Sequence, residues 1–108
     1  MSRKPVRPRE LDDQDVAAAL DYYRGEVGID IASGFLDAVQ AAYWAIAEHP
    51  AAGFPRYAHE LGLPELRSRA LKRFPYLVFY VEREDYIDVW RLLHAERDIP
   101  VRMREPGR

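Results

Sequence analysis

Cysteine is absent from this chain of 108 residues, and no apolar run approaches the length of a membrane-spanning helix. The first absence excludes a disulfide framework, a thiolate nucleophile and a zinc–thiolate site. The second excludes a transmembrane helix, which requires about 20 consecutive apolar residues. The basic N-terminus also lacks the apolar stretch that a secretory signal has. These absences predict a soluble, cytoplasmic protein.

Several motifs that carry chemistry are missing as well. The sequence has no glycine-rich phosphate loop, no Ser-His-Asp arrangement and no paired-carboxylate signature. His49 and His59 have no partner at a metal-ligand spacing. We therefore expect neither a metal nor another cofactor.

A strong positive charge is also lacking, because the net charge is −2. The charge is uneven along the chain: residues 1–9 carry +4, residues 10–60 carry −8 and residues 61–108 carry +2. Since counterion release at a positive surface supplies much of the affinity for nucleic acids, direct sequence-specific nucleic-acid binding is not expected. The asymmetry suits either a protein partner with complementary charge or solvated charge on exposed helix faces.

Two amphipathic helices are predicted in the first half of the chain. Apolar residues recur at helical spacing from residue 16 to 27 and again from residue 29 to 48. Asp12 or Asp13 is expected to cap the first helix, and Gly28 to end it. Because the link is so short, the helices should form an αα-hairpin. The segment before them, with two prolines, allows only an edge strand or an extended arm.

Three strand-like runs follow between residues 67 and 98, after a loop over residues 51–64. Helices followed by strands, rather than alternating with them, predict an α+β fold. We expect a small antiparallel sheet in the order β-α-α-β-β-β, with the αα-hairpin packed on one face. The length allows one domain, residues 1–108, with about 99–108 as a C-terminal extended tail.

The positions of the reversals predict a strand register and two sheet faces. Tyr80 is expected opposite Arg67 and Asp88, and Val78 opposite Arg69 and Trp90. The apolar face, expected to pack on the helices, comprises Ala70, Leu77, Phe79, Val81, Ile87, Val89 and Leu93. The second face, expected to stay open, comprises Arg67, Arg69, Tyr76, Tyr80, Asp88, Trp90 and His94.

The second face mixes guanidinium groups, aromatic rings and an imidazole. Such a face forms either ordinary cross-strand pairs on a half-exposed sheet or a docking surface for a macromolecule. Aromatic rings on an uncovered face favour docking. Metal-independent RNA cleavage would need a base, an acid and cations around the phosphate, and His94, Arg67 and Arg91 are the candidates. No carboxylate is placed beside His94 on the same face, which disfavours catalysis.

The strand region resembles a known family. The carriers are RSRALK at Arg67 to Lys72, FPYLVFY at Phe74 to Tyr80, and IDVWRLLH at Ile87 to His94 followed by Arg97 and Asp98. Together with the element order, they resemble the RelE/ParE superfamily of toxins from type II toxin–antitoxin modules. The aromatic-Pro-Tyr run and the Leu-His ending are typical of the ParE branch. The resemblance extends from about Val6 to Asp98.

This resemblance implies a cytoplasmic toxin that arrests growth and is held inactive by a tightly bound ParD-like antitoxin. The ParE branch implies inhibition of DNA gyrase by protein binding rather than catalysis. The RelE branch implies ribosome-dependent mRNA cleavage, which is the alternative, but its cluster of lysines is missing here. A binding module without toxicity is a third possibility. The residues predicted to contact the target are Arg67, Arg69, Tyr80, Trp90, His94 and Arg97, and those predicted to contact the antitoxin are Leu20, Tyr23, Arg24, Phe35 and Tyr43.

Overall fold

The computed structural model describes residues 3–96 and 99–104 of the chain. One short strand precedes two long helices, and three consecutive strands follow them. The strands are β1 (Val6–Pro8), β2 (Leu66–Ala70), β3 (Tyr76–Glu82) and β4 (Ile87–His94), and the helices are α1 (Glu10–Glu26), α2 (Ile29–Glu48), α3 (Ala58–Leu61) and α4 (Ile99–Met103). The predicted α+β class and the order of its main elements are confirmed.

The strands form a mixed sheet in the order β1-β4-β3-β2. β2, β3 and β4 are antiparallel, as predicted, whereas β1 pairs in parallel with β4. A parallel pair needs a long connection, which the αα-hairpin and the two intervening strands supply. β1 lies at the sheet edge, where its proline costs no ladder hydrogen bond.

The αα-hairpin formed by α1 and α2 begins differently from the prediction. α1 starts after Arg9, so neither Asp12 nor Asp13 is its cap. Asp12 lies instead in the first turn, fully buried, where it accepts a hydrogen bond from the Tyr43 hydroxyl of α2. The predicted end is correct, because Gly28 follows the helix with φ of 140°, a conformation that favours glycine.

Both faces of the sheet are covered, and this overturns part of the predicted face assignment. Arg67 does lie opposite Tyr80, and Ile87 and Val89 do pack beneath the helices. Tyr76 and Tyr80, however, also face the helices and not an open surface. The residues wrongly assigned to the helix side, which lie in a second cluster on the other face, are Leu77, Phe79, Val81 and Leu93. Because β3 is apolar at consecutive positions, its sequence does not indicate which side chains face the helices and which face the other side of the sheet.

A β-bulge changes the predicted pairing of β3 with β4. The register shifts between Phe79 and Tyr80, so that these residues pair with Arg91 and Val89 and Trp90 is the extra residue. The predicted Tyr80–Asp88 and Val78–Trp90 pairs are therefore wrong. Trp90 itself packs against the second cluster, away from the αα-hairpin.

The second face is covered by the segment after α2 and by α4. Tyr57, Leu61 and Leu63 pack there, together with Ile99 and Met103. The prediction of an open face is thus wrong, and so is the extended tail over residues 99–103, which are helical. Ile99 and Met103 are four residues apart, so one side of α4 presents both apolar side chains to the sheet.

Gly53 allows the segment after α2 to lie close to the Tyr80 side chain. A Cβ at this position would lie 2.2 Å from the Tyr80 hydroxyl oxygen and 2.9 Å from Cζ. The ring is fully buried and its hydroxyl donates to the Pro50 carbonyl at 2.6 Å, so it has no room to retreat. We expect Gly53→Ala to lower the free energy of unfolding by about 1–3 kcal/mol, measured by urea denaturation.

Gly25 supplies the matched control for this steric prediction. A Cβ there meets nothing within 4 Å, and the residue lies inside α1. Gly25→Ala should therefore stabilise the protein by about 0.5–1 kcal/mol, since alanine loses less backbone entropy in a helix. Equal effects of the two substitutions would contradict the close approach at Gly53.

Candidate functional site

A groove with a volume of about 590 Å³ lies between α1 and the ends of β3 and β4. Ala18, Tyr22 and Val27 line it on the α1 side, and Tyr76 and His94 on the strand side. Tyr22 and Val27 are large apolar residues, yet 55% and 54% of their surfaces are exposed. This α1–β4 groove therefore offers accessible apolar surface beside polar groups.

Asp15, which lines the α1–β4 groove, forms an ion pair with Arg91 of β4. β1 pairs with β4 only as far as Val89, so the next part of the β4 edge faces α1. There the Arg91 guanidinium donates to both carboxylate oxygens of Asp15, at 2.7 and 2.8 Å. The same carboxylate accepts the Leu92 backbone N–H at 3.1 Å, which satisfies an edge donor of the sheet. Arg91 also donates to the Arg102 carbonyl at 2.9 Å and so connects α4 to this ion pair.

Aromatic rings also line the groove, among them Tyr23, Tyr76 and His94. The Tyr76 and His94 rings meet edge to face with centroids 5.3 Å apart. The Tyr23 ring lies 5.2 Å from Phe35 in the core. Burial, followed by the nearby Tyr76 hydroxyl, raises the pKa of Tyr23 to about 12, so this hydroxyl is neutral at physiological pH. His94 Nδ1 accepts the Glu96 backbone N–H at 3.1 Å.

The family of this chain follows from a comparison with protein-family models. A model described as the ParE toxin of the type II toxin–antitoxin system, parDE, matches residues 7–99. The chain belongs to the ParE toxin family. The match covers both long helices and all of the sheet except the first residue of β1. The predicted resemblance to ParE-type toxins is therefore confirmed.

Solved structures support the ParE fold independently. Ten of their chains match this one significantly. One of them, described as a chromosomal ParDE TA system from P. aeruginosa, has a TM-score of 0.73 and 18% sequence identity. The alignment covers 87% of this chain and 98% of that chain. At this identity the similarity establishes the shared fold. A search among curated proteins finds no significant match.

The residues predicted to contact the target are dispersed over this ParE-family fold. Arg67 and Arg69 lie on the β2 edge, where Arg67 donates to the Gly53 carbonyl at 2.8 Å. Tyr80 is fully buried, so its predicted surface role is wrong. Trp90 lies on the second face beneath the Arg9 guanidinium, 4.2 Å from the ring centroid. His94 lines the α1–β4 groove, and Arg97 lies outside the described residues.

The residues predicted to contact the antitoxin divide between surface and core. Tyr23 lines the α1–β4 groove, and Arg24 is exposed on α1, 3.9 Å from Asp21. Leu20 is half-buried against the core. Phe35 is fully buried, so it cannot provide contact surface in this conformation. Tyr43 is partly buried and its hydroxyl is engaged by Asp12.

The ribonuclease candidates are not brought together. Arg91 is buried in the pair with Asp15. His94 pairs with Tyr76 and Arg67 with Tyr80, so the two side chains are separated by four residues along β3, about 13 Å. Among the residues that the structure describes, no cluster of three or more His, Asp and Glu could hold a metal ion. None of the described helices combines the length and apolar character needed to cross a membrane.

Tyr22, Val27 and Asp15 are groove residues that sequence reasoning missed. The helical periodicity places Val27 in the apolar stripe of α1, but the helix ends at Glu26 and Val27 is exposed. Tyr22 lies beside that stripe. A second aromatic residue next to Tyr23 is the sequence signal that could have identified it as a groove residue. Asp15 belongs to an acidic run at the helix start, and its partner Arg91 is 76 residues away in the sequence.

Proposed function

We propose that this protein is the toxin of a type II module, that a ParD-like antitoxin neutralises it, and that it inhibits DNA gyrase by binding. The observation that carries the proposal is the family match over residues 7–99. The similar P. aeruginosa chain, which belongs to a structure described as a ParDE system, supports an antitoxin as the partner. The α1–β4 groove has accessible apolar residues. Grooves that accept amphipathic helices are apolar in the same way, and this supports protein binding.

The geometry favours binding over RNA cleavage. A general base must lie within hydrogen-bond reach of the proton that it removes, with cations near the phosphate. His94 and Arg67 are too far apart along the sheet to share one phosphate, and Arg91 is committed to Asp15. The ribosome-dependent nuclease therefore has no observation in its favour here.

Antitoxin contact is proposed at α1 and the α1–β4 groove. Of the residues predicted from the sequence, Tyr23 and Arg24 keep this role, and the exposed Tyr22 and Val27 join them. Target contact is proposed at the β2 edge, through Arg69, and at His94. His94 also lines the α1–β4 groove, whereas Arg69 lies on β2 and does not, so variants of Arg69 should affect target contact separately from antitoxin contact.

Growth and supercoiling assays test the proposed function. Expression of the protein alone should arrest growth, and co-expression of a ParD-like antitoxin encoded beside it should restore growth. The purified protein should inhibit DNA supercoiling by gyrase. Arg69→Glu should weaken that inhibition about tenfold, equivalent to about 1.4 kcal/mol, without loss of antitoxin binding.

Arg7→Glu is the matched control, because it makes the same charge change on the exposed edge strand β1 at the other side of the sheet. Growth arrest without any effect on supercoiling would reject gyrase as the target. Cleaved transcripts that disappear in His94→Ala would favour the nuclease instead.

A further inference from the structure

The hairpin of β2 and β3 carries positive charge that no acidic residue interrupts. Between residues 66 and 81 the chain has no Asp or Glu but four basic side chains, which form the cationic edge of the sheet: Arg67, Arg69, Lys72 and Arg73. The ion pairs among the described residues involve none of these four. The nearest acids in the sequence, Glu65 and Glu82, lie at the open end of the hairpin, and Lys4 neutralises Glu82 at 2.7 Å. The turn end of the hairpin is therefore strongly cationic, although the net charge of the chain is −2.

The position of β2 in the sheet makes these charges accessible. β2 is the last strand in the order β1-β4-β3-β2. Arg67 and Arg69 lie two positions apart along it, about 6.6 Å, and side chains at this spacing project from the same face of a strand. Arg67 donates to the Gly53 carbonyl at 2.8 Å, which holds its guanidinium at the edge. Lys72 and Arg73 continue the charge into the turn, where both are exposed.

The backbone of Arg73 is a separate indication that this charge has a use. Its φ is 72°, in the left-handed region, where glycine or asparagine is less strained than arginine. Arg73 is exposed, so packing of its side chain does not offset the strain. Residues held in such conformations cluster at binding and active sites. The turn thus carries a cation where a smaller, uncharged residue would be more stable.

An exposed aromatic ring borders the cationic edge. Phe54 pairs with Ser68, the residue between Arg67 and Arg69, through two backbone hydrogen bonds of 2.9 Å. Its backbone is therefore fixed, yet 72% of its surface is exposed. Cations along a strand beside an exposed ring suit a single-stranded nucleic acid, because guanidinium groups bind phosphates and bases stack on aromatic rings. Acidic side chains of a protein would satisfy the charges but would leave the ring without a flat partner.

We propose that the cationic edge and Phe54 form a binding surface for single-stranded nucleic acid. The four basic side chains contact phosphates, and a base stacks on the Phe54 ring. Phosphates and base faces are common to all nucleotides, so this binding does not depend on base sequence. It requires no cleavage of the strand. The inference goes beyond the proposed function and does not depend on gyrase being the target.

Fluorescence anisotropy of a labelled oligothymidylate of about 20 nucleotides, titrated with the full chain, tests the inference. Micromolar affinity is expected at low salt. If each of the four cations neutralises one phosphate, the logarithm of the affinity should fall with the logarithm of the salt concentration with a slope of about −2.8. The affinity should therefore drop about 50-fold between about 50 and about 200 mM salt. An oligothymidylate that does not bind at the lower salt would overturn the inference.

Arg73→Asn locates the phosphate contacts. Asparagine removes the charge and tolerates the left-handed backbone, so the variant should bind oligothymidylate about fivefold more weakly, with a salt slope reduced by about 0.7. Arg7→Asn is the matched control, because it makes the same charge change on the exposed strand β1 at the opposite edge of the sheet. Its affinity should change by less than about twofold, since salt screens distant charges. Equal losses in the two variants would contradict a site at the cationic edge.

Phe54→Leu tests the stacking. Leucine keeps an apolar side chain but has no ring, so the variant should bind oligothymidylate about tenfold more weakly, whereas Phe54→Tyr should bind like the wild type. Thermal melting should show an unchanged fold in these variants and in Arg73→Asn, since the substituted side chains are exposed. Arg69 is left unchanged, because it is also the proposed target contact.

Two competing probes identify the partner class. A polyglutamate peptide that binds as tightly as oligothymidylate would assign the cationic edge to an acidic protein segment and overturn the inference. A DNA duplex that binds more tightly than the single strand, with no loss in Phe54→Leu, would overturn the stacked single strand. Weak polyglutamate binding together with the loss in Phe54→Leu would support the proposal.

Discussion

Replacing Arg91 with alanine is expected to lower the free energy of unfolding by about 3–5 kcal/mol, because the substitution leaves Asp15 largely buried without its cation. The two side chains expose only 7% and 14% of their surfaces. Arg91 also supports the Arg102 carbonyl of α4, so the loss should reach the C-terminal helix. Urea denaturation at pH 7 measures the effect, and hydrogen exchange of α4 should increase.

The double variant Asp15→Leu with Arg91→Met is the control for this prediction. It removes both charges together, and the remaining cost should be about 1–2 kcal/mol, because the Leu92 backbone N–H loses its acceptor. A cost below about 1 kcal/mol for Arg91→Ala alone would show that the pair is solvated. The double variant also has a functional use: growth arrest by a folded protein without Arg91 would confirm that this residue has no catalytic part in toxicity.

The αα-hairpin and the antiparallel meander of β2, β3 and β4 were predictable because their signals are local. Apolar periodicity located α2 at residues 29–48, and Gly28 marked the break between the helices. The Arg67–Tyr80 register followed from a turn near Arg73 and Phe74. The parallel pairing of β1 was not predictable in this way, since three residues carry too little pattern to indicate a partner strand.

The candidate site was less predictable because it depends on contacts between distant segments. β3 is apolar on both sides, and only the tertiary positions of Tyr57, Leu63 and α4 show that both sheet faces are covered. The bulge that displaces Trp90 likewise has no local sequence signal. The groove is formed by residues from α1, β3, β4 and α4, and of its two exposed large apolar residues the helical periodicity places Val27 in the apolar stripe of α1 and leaves Tyr22 beside it.

Asp12 is a fully buried carboxyl group between α1 and α2. Its Oδ2 accepts the Tyr43 hydroxyl, and its Oδ1 has no hydrogen-bond partner. Burial raises the pKa of Asp12 from 3.8 to about 7; the Tyr43 hydrogen bond and Arg91 act against this shift, whereas Asp15 and Asp13 add to it. The same burial raises the pKa of Tyr43 far above its ordinary value, so the tyrosine stays protonated.

Since the pKa of Asp12 is higher in the folded than in the unfolded chain, folding takes up a proton between pH 3.8 and about 7. The contribution of Asp12 to stability is therefore complete below pH 3.8 and is lost as the pH rises through 7. Three pKa units at about 1.36 kcal/mol each give a loss of about 4 kcal/mol.

Asp12→Asn does not titrate, so its stability relative to the wild type should rise by a similar amount between pH 4 and pH 8. Urea denaturation of both proteins at each pH unit measures this difference. The exposed Asp13→Asn variant should follow the wild-type curve, and parallel curves for Asp12→Asn and the wild type would contradict the raised pKa.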